Sequence, residues 1–290
     1  MDQNSQAVSK VTVPAILERK LRGEKITCVT ACDYPAARLV DEAGIEIILV
    51  GDSLAQTVLG YDSTVPVTVE EMLHHLRAVR RGVRRALLIV DLPYGAYHIS
   101  NEQALTSAIR FLKEGGAEAV KFEGGKERAG LVRRLVEAQI PVMGHIGLTP
   151  QSIHALGGYR VQGRTLDSAT ELVADAEALE EAGAFAIVLE GIPRELAALI
   201  TRRLRIPTIG IGAGPDCDGQ VLVFHDLVGL SYAPPAKFVR SYANLREMLH
   251  QVLTGFRADV VEGRYPNDQE SYHWTAAMRQ QFEKETTRLA

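Results

Sequence analysis

The chain has 290 residues, of which 46% are hydrophobic and 23% are charged. This composition is typical of a soluble globular protein, and a chain of this length can bury a core that needs no disulfide bonds. The net charge of −4 predicts no broad basic surface, so nucleic acid is not expected as a partner.

The apolar runs and the cysteines indicate the cellular compartment of the protein. No apolar run reaches the length of a membrane span, so no membrane is expected as a partner. The polar start MDQNSQAVSK has no apolar core of a secretory signal. The three cysteines show no zinc-type CxxC pair, and cysteines that are few and unpatterned fit a reducing compartment. We therefore expect a cytoplasmic protein.

Strand and helix signals alternate along the chain. After the polar N-terminus, the segment VPAILERKLRG predicts a short helix that ends at Gly23. The candidate strands are eight apolar runs rich in Val and Ile: 26–32, 45–52, 86–94, 117–125, 140–149, 185–193, 206–214 and 221–230. Because these runs lack strict alternation, they predict strands buried on both faces, as in a parallel sheet.

Helical segments lie between the candidate strands. The three clearest have polar caps at the start and glycine at the end: Thr68 to Gly82, Ser100 or Asn101 to Gly115–Gly116, and Asp167 or Ser168 to Gly183. Shorter helices are predicted in KERAGLVRRLVEAQ and PRELAALITRRL. Between the last two strands, the glycine-rich GIGAGPDCDG predicts a tight active-site loop rather than a full helix.

Eight strands with intervening helices favour an α/β fold, the (β/α)8 or TIM barrel. A doubly wound open sheet is the alternative. No shift in composition marks a second domain. We therefore predict a single barrel domain over residues 1–265, including the short N-terminal helix, and a polar C-terminal tail over residues 266–290.

Polar side chains stand at the carboxyl ends of five predicted strands, the end that carries the chemistry in such barrels. They are Asp52 with Ser53, Asp91, Lys121 with Glu123, His145, and Glu190. A carboxylate at such a position is partly desolvated and needs a cation, a hydrogen-bond donor or a proton. Each also has a structural alternative when taken singly. An Asp can cap a helix or form a turn, His145 can be a satisfied core histidine, and Lys121 can simply pair with a carboxylate.

Asp52, Asp91 and Glu123 fall on adjacent strands and are expected to converge. Like charges that close repel each other unless a cation lies between them. Oxygen ligands without cysteine suit a hard divalent ion such as Mg²⁺, and a 2-oxo acid could chelate the ion. The sequence therefore predicts a magnesium site. On this view, Asp91→Asn relieves repulsion and leaves the metal-free protein at least as stable as the wild type.

Six long motifs, in order and spaced over roughly residues 10 to 265, resemble one known family. They are CVTACDYPAARLVDEAGIEIILVGDSL, VLGYDSTVPVT, VKFEGG, GHIGLTPQS, VLEGIP and IGIGAGPDCDGQVLVFHDLVGL. The chain resembles the 3-methyl-2-oxobutanoate hydroxymethyltransferase (ketopantoate hydroxymethyltransferase) family. The resemblance implies a (β/α)8 barrel of the phosphoenolpyruvate/pyruvate superfamily. It also implies transfer of a hydroxymethyl group from 5,10-methylenetetrahydrofolate to 3-methyl-2-oxobutanoate, which gives 2-dehydropantoate in pantothenate and coenzyme A biosynthesis.

The resemblance also implies functional roles for individual residues. It implies that Asp52, Asp91 and Glu123 bind Mg²⁺, and that Glu190 is the proton acceptor. The implied 2-oxo acid contacts are Asp52, Ser53, Asp91 and Lys121, and we also count His145, at the end of the fifth strand, among the predicted substrate contacts. The family further suggests a homodecamer of two five-membered rings.

The chain departs from the family pattern at two places. Ala55 stands where the family commonly has glycine, with Gln56 and Thr57 after it, beside the predicted metal. The tail beyond about residue 265 is longer than usual.

Two other functions stay open at this point. A lyase or mutase of the same superfamily would act on a 2-oxo acid without folate, but the catalytic cysteine loop that some of those relatives use is not found here. A non-catalytic binding or assembly module is the third alternative, and the acid, base and cation gathered at one barrel face argue against it.

Overall fold

The computed structural model describes residues 9–289. Its eight strands are parallel and close into a barrel in chain order, with β8 paired to β1. The strands are β1 Ile26–Thr30, β2 Ile47–Val50, β3 Leu87–Asp91, β4 Ala119–Glu123, β5 Val142–Gly147, β6 Ala186–Glu190, β7 Thr208–Ile211 and β8 Gly219–Leu222. The closure between first and last strands confirms the predicted barrel and excludes the open sheet.

Helices follow most of the strands. They are α1 Val13–Arg22, α2 Tyr34–Glu42, α3 Leu54–Thr57, α4 Val69–Gly82, α5 Asn101–Arg110, α6 Ala129–Glu137, α7 Ile153–Leu156, α8 Leu166–Glu181, α9 Arg194–Arg203, α10 Phe224–Leu227, α11 Leu245–Val261 and α12 Ala276–Leu289. A π-helical turn, Phe111–Gly115, extends α5, and 3-10 turns cover Lys126–Arg128, Pro150–Ser152 and Asp268–Glu270. No described helix has the length and apolar character needed to cross a membrane.

The helix ends follow the capping signals with one correction. Thr68 caps α4 through a capping box with Glu71, and α1 ends at Gly23 in the left-handed conformation, as predicted. The start predicted for α8 at Asp167 or Ser168 is slightly late, because Thr165 is its N-cap. Ser168 instead closes the capping box from inside the first turn.

The last strand was predicted too far along the chain. The apolar run 221–230 combines the end of β8 with the short helix α10, and a short apolar run cannot distinguish a strand from a buried helix. The strand begins earlier, at Gly219, where a Cβ atom would lie 2.4 Å from the carbonyl oxygen of Ile26 on β1. Glycine is therefore required for the barrel to close at this point. Residues 212–218 form a loop without a helix, as predicted.

The hydrophobic core consists of two buried clusters, one inside the barrel and one between the barrel and the surrounding helices. The outer cluster joins the sheet to the helices, and the inner cluster includes Leu87, Ile89, Ala119, Met143 and Val188. Alternate residues of a strand share a face. The strand-end polar residues therefore share the inner face: Asp91 on β3, Lys121 and Glu123 on β4, His145 on β5 and Glu190 on β6.

The chain divides into two compact units between Tyr242 and Ala243. The first unit contains the barrel, and the second contains α11 and α12. The sequence-based boundary at residue 265 lies within the second unit, and the division into a domain of 1–265 and a tail of 266–290 stays a proposal. Residues 1–8 and 290 of these predicted segments lie outside the described residues.

Candidate active site

A cavity of about 1090 Å³ opens at the carboxyl ends of the strands. Its lining includes every residue predicted for the site: Asp52, Ser53, Asp91, Lys121, Glu123, His145 and Glu190. Its outer wall includes the segment 231–239. A cavity of this size accommodates organic ligands, and here it combines an apolar wall with a few converging charged groups, as small-molecule sites do.

Lys121 and Asp91 form a buried ion pair at the centre of the site. Lys121 Nζ lies 2.7 Å from Asp91 Oδ1, and Asp91 Oδ2 accepts a hydrogen bond from the backbone N–H of Asp52 at 3.0 Å. Burial by itself would lower the pKa of Lys121, but the charges of Asp91, Asp52 and Glu123 raise it above its ordinary value. The ammonium group is therefore a permanent positive charge at the floor of the cavity.

Asp52 and Glu123 are carboxyl groups whose charges are poorly compensated. Burial, followed by the charge of Asp91, raises the pKa of Asp52 to about 7. Burial and the charge of Asp52 raise the pKa of Glu123 well above its ordinary value. Both shifts show that a further positive charge would be favourable between these groups.

The donor atoms suit a hard divalent cation, because the carboxylates supply only oxygen and two of them carry uncompensated charge. In the part of the chain that the structure describes, however, no three His, Cys, Asp or Glu side chains are arranged to hold a metal ion. Asp91 is engaged by Lys121, and Asp52 by the side-chain amide of Gln151. A bound cation would therefore share these carboxylates with their present partners.

His145 connects the central lysine with Glu190. Its Nδ1 lies 3.3 Å from Lys121 Nζ, and its Nε2 lies 3.2 Å from Glu190 Oε2. Because an ammonium group can only donate, Nδ1 must accept, and the ring proton belongs on Nε2, where it is directed at Glu190. Burial and the charge of Lys121 lower the pKa of His145, which keeps the ring neutral. His145 thus lies between Lys121 and Glu190, with its Nε2 facing the Glu190 carboxylate at the cavity wall.

Ser53 is the N-cap residue of α3 and directly follows Asp52, and its side chain makes no capping hydrogen bond. Ser53 lies in the lining of the cavity. Gly51 makes room for it, since a Cβ atom there would lie 3.1 Å from Ser53 Oγ and 3.5 Å from Asp91 Oδ2. Ala55, which stands where the family commonly has glycine, fits within α3. It is fully buried there and donates its backbone N–H to the Asp52 carbonyl oxygen at 2.9 Å.

Sequence reasoning missed two residues that contact the predicted metal ligands. Gln151 and Tyr97 are both buried, and they hydrogen-bond to each other and to Asp52 or Glu123. Gln151 lies in the motif GHIGLTPQS, so the signal was present, but the residue does not end a strand. Tyr97 lies in the loop after β3, and no pattern in the sequence singles it out.

The raised pKa of Asp52 predicts a pH dependence of the metal-free protein. The folded state binds the Asp52 proton more tightly than the unfolded state does. The contribution of this proton to the free energy of unfolding is therefore fully present below the ordinary pKa of 3.8 and is lost as the pH rises through about 7. In the presence of a chelator, we expect this contribution to the melting temperature to fall between about pH 4 and pH 7. Other carboxylates also make the melting temperature depend on pH. The quantity to measure is therefore the difference in melting temperature between the wild type and Asp52→Asn at each pH. A difference that does not change with pH would contradict the prediction.

Comparison with known proteins identifies the family of this chain. The model of the family described as ketopantoate hydroxymethyltransferase matches residues 10–268. A 3-methyl-2-oxobutanoate hydroxymethyltransferase of Koribacter versatilis (strain Ellin345) is 62% identical over 265 residues, which cover 91% of this chain and 90% of that protein. The enzyme of the same name from Carboxydothermus hydrogenoformans is 55% identical, with 91% and 96% covered.

Solved structures show the same fold at low identity. A phosphonopyruvate hydrolase solved with oxalate and Mg²⁺ aligns with a TM-score of 0.58 and 16% identity, covering 96% of this chain and 97% of that one. A 2,3-dimethylmalate lyase, a member of the PEP mutase/isocitrate lyase superfamily, aligns with a TM-score of 0.54 and 18% identity, covering 96% and 98%. These likenesses support the barrel type only. The family model and the named enzymes, by contrast, match most of the chain, and the enzymes match it at high identity. This protein is therefore an enzyme that belongs to the ketopantoate hydroxymethyltransferase family.

Proposed function

We propose that the enzyme transfers a hydroxymethyl group from 5,10-methylenetetrahydrofolate to 3-methyl-2-oxobutanoate and so forms 2-dehydropantoate, the committed step toward pantothenate and coenzyme A. The observation that carries the proposal is the inner polar layer of the barrel. A buried cation, Lys121, and a carboxylate oriented by a neutral histidine, Glu190, face one cavity. A 2-oxo acid needs these two groups, one for its negative charge and one for its C3 proton.

In this proposal Lys121 and Ser53 bind the carboxylate and ketone oxygens of the oxo acid. Lys121 is pre-oriented by Asp91, so its charge requires no reorganisation when negative charge develops on the ketone oxygen. Asp52, Asp91 and Glu123 would hold Mg²⁺. When bound, the ion would supply further positive charge beside the developing enolate.

Glu190 accepts the proton from C3, the carbon that carries the two methyl groups. His145 keeps the accepting carboxylate in place through its Nε2–H. The C3 carbon then forms a bond to the one-carbon unit of the folate, whose carbon–nitrogen bonds break, and water supplies the hydroxyl oxygen. Folate leaves as tetrahydrofolate, so no oxidant or reductant is required.

The assembly and the location are part of the same proposal. Resemblance to the family supports a homodecamer, and the composition supports a cytoplasmic enzyme with small-molecule partners. Size measurement of the purified full chain by light scattering would test the decamer.

A steady-state assay tests the reaction. With Mg²⁺ and both substrates, we expect formation of 2-dehydropantoate that depends on 5,10-methylenetetrahydrofolate and stops when a chelator is added. Turnover of the oxo acid without folate would instead support a lyase of the same barrel type, and no turnover of either kind would support a binding module.

A further inference from the structure

We infer that Gln151 is a positioning residue that holds Asp52 and Glu123 in the relative orientation needed for cation binding, with Tyr97 holding Gln151. This inference rests on the proposed function, in which these two carboxylates bind Mg²⁺. It concerns two residues outside the predicted ligand set.

Gln151 contacts both carboxylates at once. Its side-chain Nε2 donates to Asp52 Oδ2 at 2.8 Å, and its backbone N–H donates to Glu123 Oε2 at 3.0 Å. Asp52 follows β2 and Glu123 ends β4, whereas Gln151 belongs to the 3-10 turn after β5. One residue therefore connects acidic groups from two separate strands. All three side chains are at most 6% exposed, so water does not weaken these bonds.

The orientation of the Gln151 amide is determined from two sides. Nε2 also faces the Leu92 carbonyl oxygen at 3.0 Å, and a carbonyl can only accept, so the NH₂ group must lie there. On the other side, the Tyr97 hydroxyl donates to Gln151 Oε1 at 2.7 Å. The same hydroxyl accepts the backbone N–H of Glu123 at 3.2 Å, which leaves its single proton for Gln151. The amide consequently presents an N–H, and never its oxygen, to Asp52.

This arrangement has the form of the outer hydrogen bonds that orient metal ligands. Removal of such partners typically costs about 10–100-fold in metal affinity or activity. A glutamine with a purely structural role would affect folding stability instead and would leave the affinity of the native state unchanged. The two roles are therefore separable by measuring cation affinity and stability on the same variants.

The test uses the full chain and Mg²⁺ as the probe. Gln151→Met removes the side-chain bonds and keeps the backbone N–H to Glu123. We expect titration calorimetry to show about 10–100-fold weaker Mg²⁺ binding for this variant. Thr201→Val is the matched control, because it breaks a different buried hydroxyl pair, Thr201 Oγ1 to Thr208 Oγ1 at 2.7 Å, away from the cavity lining. It should lower the melting temperature and leave Mg²⁺ affinity at the wild-type value.

Tyr97→Phe provides a second variant in case Gln151→Met does not fold. It keeps the ring and should also weaken Mg²⁺ binding. The two substitutions should be less than additive in the double variant, because both act through the same bonds. The inference is overturned if either folded variant binds Mg²⁺ as tightly as the wild type. If the variants bind Mg²⁺ normally and the wild type shows folate-dependent turnover, the inference about Gln151 fails but the proposed function stands. If the wild type neither binds Mg²⁺ nor turns over its substrates, both the inference and the proposed function fail.

Discussion

Replacement of Glu190 by Gln is expected to slow proton exchange at C3 of 3-methyl-2-oxobutanoate by about 10²–10⁴-fold, the usual contribution of a general base. Glutamine keeps the size of the side chain and still offers an oxygen to the Nε2–H of His145, which lies 3.2 Å from Glu190 Oε2. It cannot accept a proton from carbon. The measurement is deuterium incorporation from D₂O into the oxo acid, followed by NMR without folate, so that the proton step is observed alone.

Binding should be largely retained in this variant. The partner of Glu190 is the neutral His145 rather than the ion pair of Asp91 and Lys121, so the Mg²⁺ and oxo acid affinities should stay near the wild-type values. Glu195→Gln is a matched control, since Glu195 lies exposed in the first turn of α9 and does not line the cavity. Exchange at the wild-type rate by Glu190→Gln with substrate bound would show that another group is the base.

Much of the barrel and its polar layer could be predicted because both depend on local periodicity. The apolar runs specify buried strands, and the alternation of side chains places Lys121, His145 and Glu190 on one face once the barrel closes. Closure itself depends on packing between distant segments, such as the approach of Gly219 to Ile26. The predicted position of β8 was wrong because the strand begins at Gly219, which this packing requires, and because the apolar run 221–230 also includes α10.

The hydrogen-bonding partners inside the site could not be predicted. Spacing along the chain shows which residues end strands, but it does not show which of several nearby groups pair with each other. The sequence predicted acidic groups arranged around a cation, whereas the structure pairs Asp91 with Lys121 and Asp52 with Gln151. Gln151 and Tyr97 lie in loops, where side-chain direction depends on tertiary contacts rather than on a repeat.

Replacement of Asp91 by Asn is expected to destabilise the metal-free protein, contrary to the expectation from sequence. Relief of repulsion among carboxylates would stabilise it, but Asp91 also compensates the buried charge of Lys121 at 2.7 Å. Removing one partner of a buried ion pair typically costs about 3–5 kcal/mol, because the other charge is left uncompensated. We expect a value near the lower limit, since Asp52 and Glu123 still act on Lys121. Urea unfolding with a chelator present measures the change.

The double variant Asp91→Asn with Lys121→Met distinguishes this account from a loss of packing. Removing both charges should restore part of the stability, because neither member of the ion pair is then left without its partner. The recovery is incomplete, because Asp52 and Glu123 also lose the compensating charge of Lys121. Turnover should remain at least about 10²-fold below the wild type in both variants, the scale for loss of a group that stabilises developing negative charge. Stability and activity would thus separate: the single variant loses both, and the double variant recovers only the first, in part. If Asp91→Asn unfolds at the same urea concentration as the wild type, the ion pair does not stabilise the fold and repulsion among the carboxylates is the larger effect.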